Sequence, residues 1–152
     1  MLIYHFGSRE GLLVEIVREV EARQREVRIP PATPDRPGDV AAEIRASWRA
    51  FSDPELAGWE RLFFELYGQA LQGRPGTTGL LDGIVDDWTG PIAAELRARG
   101  LPALDAVPTA RLMVAVMRGL LLDLLATGDR NGVDRALEAF VALVTSREPR
   151  PQ

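Results

Sequence analysis

The chain has 152 residues, of which 46% are hydrophobic and 26% are charged, and 22 acidic against 18 basic residues give a net charge of −4. This composition is typical of one globular domain rather than of a disordered chain. Cysteine and lysine are absent and His5 is the single histidine, which excludes disulfides, thiolate and Schiff-base chemistry and metal sites built on two histidines.

The remaining residue types do not predict catalysis either. The sequence offers no nucleophile–base pair and no metal-ligand cluster, so we expect no catalytic residue, no metal, no cofactor and no enzyme activity. Asp86 and Asp87 are adjacent on a predicted helix, where neighbouring side chains point about 100° apart and do not converge. Neither a membrane span of ~20 apolar residues nor a signal peptide is found, so we expect a cytoplasmic protein without a membrane partner.

Helical periodicity dominates the chain, and no strand-like alternation competes with it. The apolar positions and their flanking caps and breaks predict six helices. They cover approximately residues 9–28, 39–52, 53–71, 79–99, 111–126 and 131–146. The pattern therefore predicts an all-α fold, with short connections that favour an antiparallel helical bundle.

Breaks and caps separate these helices. Residues 29–38 hold four prolines and are predicted to form a linker, because proline cannot continue a helix. Thr77 and Thr78 are candidate caps for the helix over 79–99. Pro91 lies inside that helix, so a kink near Thr89 or two half-helices are expected.

The helix over 111–126 is apolar on nearly all sides. Such a helix must be buried nearly all round, which in a chain of this length predicts burial against a second copy as well as against its own fold. The helix over 131–146 carries an apolar stripe, and its alanines permit close approach of another helix. The predicted homodimer interface consists of Leu121, Leu122, Leu125, Leu137, Phe140, Val141 and Val144.

Aromatic residues concentrate in the middle helices, where they form either ordinary core or the wall of a small-molecule cavity. Trp59, Phe63 and Tyr67 recur every four residues and therefore share one helix face, which we expect to point inward. Arg118 stands among apolar neighbours, so it needs an ion pair, with Asp123 or a second subunit, or an anionic ligand. The predicted ligand pocket consists of Trp48, Phe51, Trp59, Phe63, Tyr67, Trp88, Met113, Met117 and Arg118.

The N-terminal segment Leu2-Ile3-Tyr4-His5-Phe6-Gly7-Ser8-Arg9-Glu10-Gly11-Leu12-Leu13 resembles a segment of tetracycline-repressor-type (TetR family) transcriptional regulators. The shared pattern is an aromatic pair, then Phe, Gly, Ser or Asn, a basic residue, Glu and an apolar pair. In that family it leads from the recognition helix into the helix that connects the DNA-binding and ligand-binding halves. The rest of the chain matches as an architecture, whose last two helices form a dimeric four-helix bundle in the family.

The resemblance implies an organisation and a set of contacts. It divides the chain into a helix-turn-helix remnant (1–8), a connecting helix (9–28), the linker (29–38), a ligand-binding and dimerisation domain (39–146) and a flexible tail (147–152). It also implies that Tyr4, His5 and Arg9 contact the DNA backbone, which positions a protein without reading base sequence. Without the resemblance, His5 is a residue at a helix end and Arg9 is a surface charge.

The chain departs from the family pattern at its start. Met1 falls where the recognition helix should already be ending, so the elements that read bases are missing. Either the true start codon lies upstream, or the gene encodes a remnant without a reader; we favour the first because a chain that begins in mid-element gains nothing in folding. We expect no operator-specific binding by this chain, and DNA is a partner only where the missing helices are present.

The sequence thus predicts a ligand-responsive TetR-type regulator, a repressor, that forms a homodimer and binds a small apolar or amphipathic ligand. The alternative is a stand-alone helical dimer that binds such a ligand, or a partner of a full-length relative that does not bind DNA. An enzyme on a helical scaffold is the weakest hypothesis.

Overall fold

The structure is a computed structural model, which describes residues 8–28, 39–101 and 103–146. Within these ranges the chain forms six α-helices, two short 3-10 helices and no strand, so the prediction of an all-α fold is confirmed. The α-helices α1 to α6 span Arg9–Arg28, Val40–Phe51, Ala57–Leu71, Asp86–Ala98, Ala103–Thr127 and Arg130–Thr145, and the 3-10 helices span Pro54–Leu56 and Thr78–Leu81. The predicted linker (29–38) and tail (147–152) lie outside the described residues.

Side-chain caps set where several helices begin, because the first N–H groups of a helix have no partner within it. Ser8 Oγ accepts a hydrogen bond of 2.9 Å from the backbone N–H of Gly11 at the start of α1. Thr77, a predicted cap, makes no such bond, and its hydroxyl donates instead to the Arg74 carbonyl at 2.8 Å. The aspartates that cap later helical segments are Asp39, Asp53 and Asp129.

The predicted helix over 79–99 is divided, but the predicted position of the break is wrong. The 3-10 helix Thr78–Leu81 and α4 are separated by residues 82–85, where Gly83 has a φ of +73°. This left-handed conformation favours glycine and turns the chain. Pro91 is the sixth residue of α4, and the helix continues through it although proline supplies no backbone N–H for the helical hydrogen bonding.

The chain divides into two compact units. The first contains α1, α3 from Gly58, the 3-10 helix Thr78–Leu81, α4 and α5 up to Val114. The second contains α2, the 3-10 helix Pro54–Leu56, α5 from Ala115 and α6. The residues that the sequence predicts as one domain over 39–146 are therefore divided between the two units.

The first unit has two apolar clusters. One joins α1 to α3 and to the segment before α4, and its buried members are Val14, Val17, Phe63, Leu66, Ala70, Leu80 and Ile84. The other joins α4 to the first half of α5 through Ala93, Leu96, Ala106 and Ala110. Removing this apolar surface from water is the main force that holds α1 against the unit.

The second unit is built on the packing of α2 against α6. Ile44 and Trp48 of α2 are buried, as are Val133 and Leu137 of α6. None of the described helices combines the length and the apolar character that a membrane crossing requires.

Candidate functional site

The predicted aromatic stripe on α3 is only partly directed inward. Phe63 is buried and lies against Tyr67, with ring centroids 5.6 Å apart, and against Phe64 at 5.1 Å. Tyr67 is half-buried, whereas Trp59, in the first turn of α3, is 44% exposed. Phe63 and Tyr67 therefore belong to the packed core of the first unit, and the expectation that Trp59 points inward is wrong.

Trp59 and Phe63 share a small pocket with α1. Its volume of about 10 Å³ is enough for one water molecule and not for an organic ligand. Glu60, which is 7% exposed, lines this pocket and accepts a hydrogen bond of 3.4 Å from Gln24 Nε2 on α1. The hydrogen bond between Gln24 and Glu60 thus connects α1 to α3 beside this pocket, and Trp59 and Phe63 form part of the pocket wall.

The other predicted pocket residues of the first unit are Trp88 and Met113. Trp88 of α4 is 7% exposed, and the guanidinium of Arg25 lies 5.6 Å from the centre of its ring. Met113 packs against the cluster formed by α4 and α5. Neither residue lines the two cavities that the described residues form around α1.

The remaining four predicted pocket residues lie in the second unit. Trp48 is buried and its Nε1 donates a hydrogen bond of 2.7 Å to Asp134 Oδ1 on α6. Phe51, Met117 and Arg118 are half-buried. Arg118 interacts with other groups of the chain, which fits the requirement that a guanidinium among apolar side chains be partnered.

A larger groove of about 300 Å³ lies in the first unit between α1 and the segment that leads into α4. Its lining residues are Glu15, Arg18, Glu19, Glu21, Ala22, Arg25, Leu80, Asp82, Ile84 and Asp87. None of them belongs to the predicted pocket. Three of its five carboxylates form ion pairs with arginines of α1: Glu15 with Arg18, Glu19 with Arg23, and Asp87 with Arg25.

Sequence reasoning missed this groove because it takes the charged face of α1 for a solvated surface. Glu15, Arg18, Ala22 and Arg25 recur at three- and four-residue intervals, so they form one stripe. That stripe was visible in the sequence. The sequence does not show what this stripe faces, because residues 80–87 approach it only in the folded chain.

The structure describes one of the three residues that the resemblance assigns to contacts with the DNA backbone. Tyr4 and His5 lie outside the described residues, and Arg9 is the exposed first residue of α1. Within residues 8–28, 39–101 and 103–146, no group of three or more acidic or histidine side chains is placed to hold a metal ion.

The residues predicted for the dimer interface are mostly buried within the single chain. Leu121, Leu137, Phe140 and Val141 have exposures of 8% or less, whereas Leu125 and Val144 are half-buried. Leu122 is 50% exposed. The large exposed leucines that the sequence reasoning omitted from this surface are Leu112 on α5 and Leu143 on α6.

One exposed ion pair joins the helices of the second unit. Arg45 of α2 donates from Nε and Nη2 to the two carboxylate oxygens of Glu138 on α6, at 2.8 and 2.7 Å. This hydrogen bonding lowers the pKa of Glu138 below its ordinary value and raises the pKa of Arg45. Both groups are at the surface, so the pair is an inter-helix contact rather than a reactive centre.

Comparisons with family models, with curated proteins and with solved structures gave no match to this chain. The resemblance to TetR-type regulators therefore rests on residues 2–13 and on the helical architecture.

Proposed function

We propose that this chain is the ligand-binding and dimerising part of a TetR-type transcriptional repressor that acts in the cytoplasm. The observation that carries the proposal is the placement of α1. This helix of 20 residues begins at Arg9, inside the segment that resembles the family, and buries Val14 and Val17 in the core of the first unit. A helix that continues from the DNA-binding segment into the ligand-binding body is what such a regulator needs to transmit a signal.

The contacts of α1 supply a route for that signal. The helix packs against the 3-10 helix Thr78–Leu81 and faces the groove beside it. A ligand changes the position of α1 only if it binds one arrangement of these elements better than another. A ligand in the groove would contact both α1 and residues 80–87.

The surface of α5 and α6 supports association of two copies. Five exposed residues of α5 recur at three- and four-residue intervals and form a stripe of small and apolar side chains beside the exposed Arg111 and Asp123, namely Leu112, Ala115, Gly119, Leu122 and Ala126. On α6 the exposed small and apolar residues, which lie beside the exposed charged residues Arg135 and Glu138, are Ala136, Ala139, Ala142 and Leu143. Small side chains permit close helix approach, and exposed leucines gain free energy when a partner covers them.

Two measurements test the proposal. Light scattering should give about twice the chain mass of 16.7 kDa. The chain should then be fused behind the helix-turn-helix of a known TetR-type regulator, and the occupancy of that regulator's operator should be measured with and without a ligand found by thermal shift, since ligands of the native state raise its melting temperature.

The outcomes separate the two candidate functions. A dimer whose fusion releases the operator on ligand binding supports the regulator. A dimer that binds ligand while its fusion keeps the same operator occupancy favours the stand-alone binding protein. A monomer at micromolar concentration contradicts both.

A further inference from the structure

Asn131 is the single asparagine of the chain, and Gly132 follows it in the first turn of α6. The backbone nitrogen that follows an asparagine can attack the asparagine side chain, and it does so most readily in glycine, which has no side chain to shield it. Asn131 is exposed, so water reaches its side-chain amide. The start of α6 therefore has the residue pair and the exposure that deamidation requires.

The reaction consumes water and needs no other partner. The Gly132 nitrogen loses its proton to the solvent and attacks Cγ of Asn131. The new C–N bond closes a five-membered succinimide ring, and Nδ2 of Asn131 takes up a proton and leaves as ammonia. Water then opens the ring at one of its two carbonyls, which gives aspartate or isoaspartate. One ammonia is released for each water consumed, and nothing is oxidised or reduced.

Asp129, the N-cap residue of α6, opposes the first step. Its Oδ1 accepts a hydrogen bond of 2.9 Å from the Gly132 N–H, and this N–H must be released before the nitrogen can attack. A carboxylate beside the N–H also disfavours its deprotonation, because the anion formed would lie next to a negative charge. Ring closure requires in addition that residue 131 leave the helical conformation that it has in α6.

The cap and the reactivity both follow from the missing side chain of Gly132. A Cβ at this position would lie 2.8 Å from Cγ of Asp129, so a larger residue would displace the carboxylate from its hydrogen bond. The glycine that lets Asp129 approach is thus also the residue that makes Asn131 reactive. The same short segment contains the reactive pair and the group that slows its reaction.

We propose that Asn131 is a site of spontaneous deamidation, which the Asp129 cap slows and which reacts when the first turn of α6 opens. Opening of a helix end is a local event that does not require the whole chain to unfold. The aspartate product adds a negative charge that suits a helix start. The isoaspartate product adds one carbon to the main chain before Gly132, so the cap no longer fits the first turn. Neither a ligand nor DNA takes part in the reaction.

The experiment follows the intact chain at mildly alkaline pH by mass spectrometry, since each deamidation adds about 1 Da and fragmentation assigns it to residue 131. Asp129→Ala should deamidate about fivefold faster than the parent chain, because loss of a capping aspartate favours the open first turn by about this factor. Asp129→Ser keeps a capping oxygen and should stay within about twofold of the parent rate. An unchanged rate in Asp129→Ala, or equal rates in the two variants, overturns the role of the cap.

A second capping aspartate of the same unit is the matched control. Asp39 caps α2 and accepts hydrogen bonds from the N–H groups of Ala41 and Ala42. Asp39→Ala therefore weakens a helix start elsewhere, and it should leave the rate at residue 131 within about twofold of the parent. Equal acceleration by Asp39→Ala and Asp129→Ala would assign the reaction to unfolding of the whole unit and overturn local opening.

Two further readouts test the reaction itself. The chain unfolded in urea gives the rate of the uncapped pair, and a folded parent chain that reacts equally fast contradicts the protection by Asp129. Isoaspartate at residue 131 among the products shows that the ring formed. Aspartate as the sole product would indicate direct hydrolysis of the side chain and would overturn attack by the Gly132 nitrogen.

Discussion

The indole Nε1 of Trp48 on α2 donates a hydrogen bond of 2.7 Å to Oδ1 of Asp134 on α6, across 86 residues of sequence. Trp48 is 3% exposed, so its N–H could not be satisfied by bulk water. The guanidinium of Arg130 lies 6.0 Å from the same indole ring and 3.7 Å from the other carboxylate oxygen of Asp134. One polar atom of a buried side chain thus fixes the pairing of two helices that the sequence places far apart.

Replacement of Trp48 by Phe should lower the free energy of unfolding by about 1–3 kcal/mol, because Asp134 loses a buried donor and the smaller ring leaves space behind. Urea denaturation followed by circular dichroism measures the loss. Trp59→Phe makes the same chemical change at a side chain that is 44% exposed, and it should alter stability by less than about 0.5 kcal/mol. Equal losses in the two variants would show that the hydrogen bond to Asp134 contributes nothing.

The ion pair between Arg45 and Glu138 should make the stability of the second unit depend on acid. Its hydrogen bonding lowers the pKa of Glu138 in the folded chain relative to its ordinary value of 4.5. A carboxyl group of lowered pKa stabilises the fold above its unfolded pKa, and that contribution is lost as the pH falls through the folded value. The contribution is therefore present at neutral pH and absent in strong acid.

Glu138→Gln tests this dependence on pH. The variant should be less stable than the parent chain at neutral pH, and the difference should shrink as the pH is lowered through the acid range below 4.5. Glu55→Gln, at an exposed position of the first 3-10 helix, is the control for loss of a carboxylate. A difference for Glu138→Gln that is constant with pH would exclude the ion pair as its cause.

The same substitution at two leucines of α3 distinguishes the effect of burial on stability from the effect of helix propensity. Leu66 is 2% exposed and belongs to the core shared with α1, whereas Leu71 is 66% exposed. Leu66→Ala should lower the free energy of unfolding by about 2–5 kcal/mol because it leaves a cavity, and Leu71→Ala should change it by less than about 0.5 kcal/mol. Similar results in urea denaturation would mean that the α1–α3 core is not packed as described.

The same substitution at two glycines of the loop after α3 distinguishes the effect of backbone strain from the effect of a close contact with a neighbouring side chain. Gly73 and Gly76 have φ values of +71° and +83°, a region that costs an L-residue about 1–2 kcal/mol. A Cβ at Gly73 meets no atom within 4 Å, whereas one at Gly76 would lie 2.7 Å from Oγ of Ser8, which caps α1. Gly76→Ala should therefore be the more destabilising by about 1 kcal/mol, the value of a cap. Thermal unfolding of the two variants measures the difference, and equal losses would contradict the contact with Ser8.

The proposed dimer surface predicts which leucines control association. Leu122→Glu and Leu143→Glu should each convert the dimer to a monomer, because each places a charge where an exposed apolar side chain would be covered by the second copy. Leu71→Glu places the same charge on another exposed leucine, on α3, and should leave the mass unchanged. Analytical ultracentrifugation measures all three, and a dimer that survives both changes excludes this surface.

Local sequence signals were sufficient for the helices and for most of their limits, but α5 begins at Ala103, eight residues before the predicted start at 111. The charged helix with an apolar stripe was predicted over 9–28 and spans Arg9–Arg28, because its capping serine and its apolar spacing act within a few residues. The same holds for Asp53-Pro54, which begins the 3-10 helix Pro54–Leu56. The break before α4 was misplaced, because Pro91 is a strong local signal whereas the conformation of Gly83 depends on the packing around it.

The residues that contact the buried side chains could be identified only from the tertiary structure. The sequence identified Trp48 and Phe63 as inward-facing aromatic residues, and both are buried. It could not indicate that Asp134 accepts a bond from one of them, nor that Leu137 and Phe140 are covered within the same chain rather than by a second copy. An apolar stripe specifies that a face must be covered, and it does not specify by what.

The sequence by itself determined that this protein is made of helices, where most of them begin and end, and which side of α1 avoids water, since hydrogen bonding and apolar spacing along one helix are local properties. The tertiary structure alone decided that the charged side of α1 faces residues 80–87 across a groove of about 300 Å³. A cavity is formed by elements distant in sequence, and its charge is a sum over side chains that only the folded chain brings together.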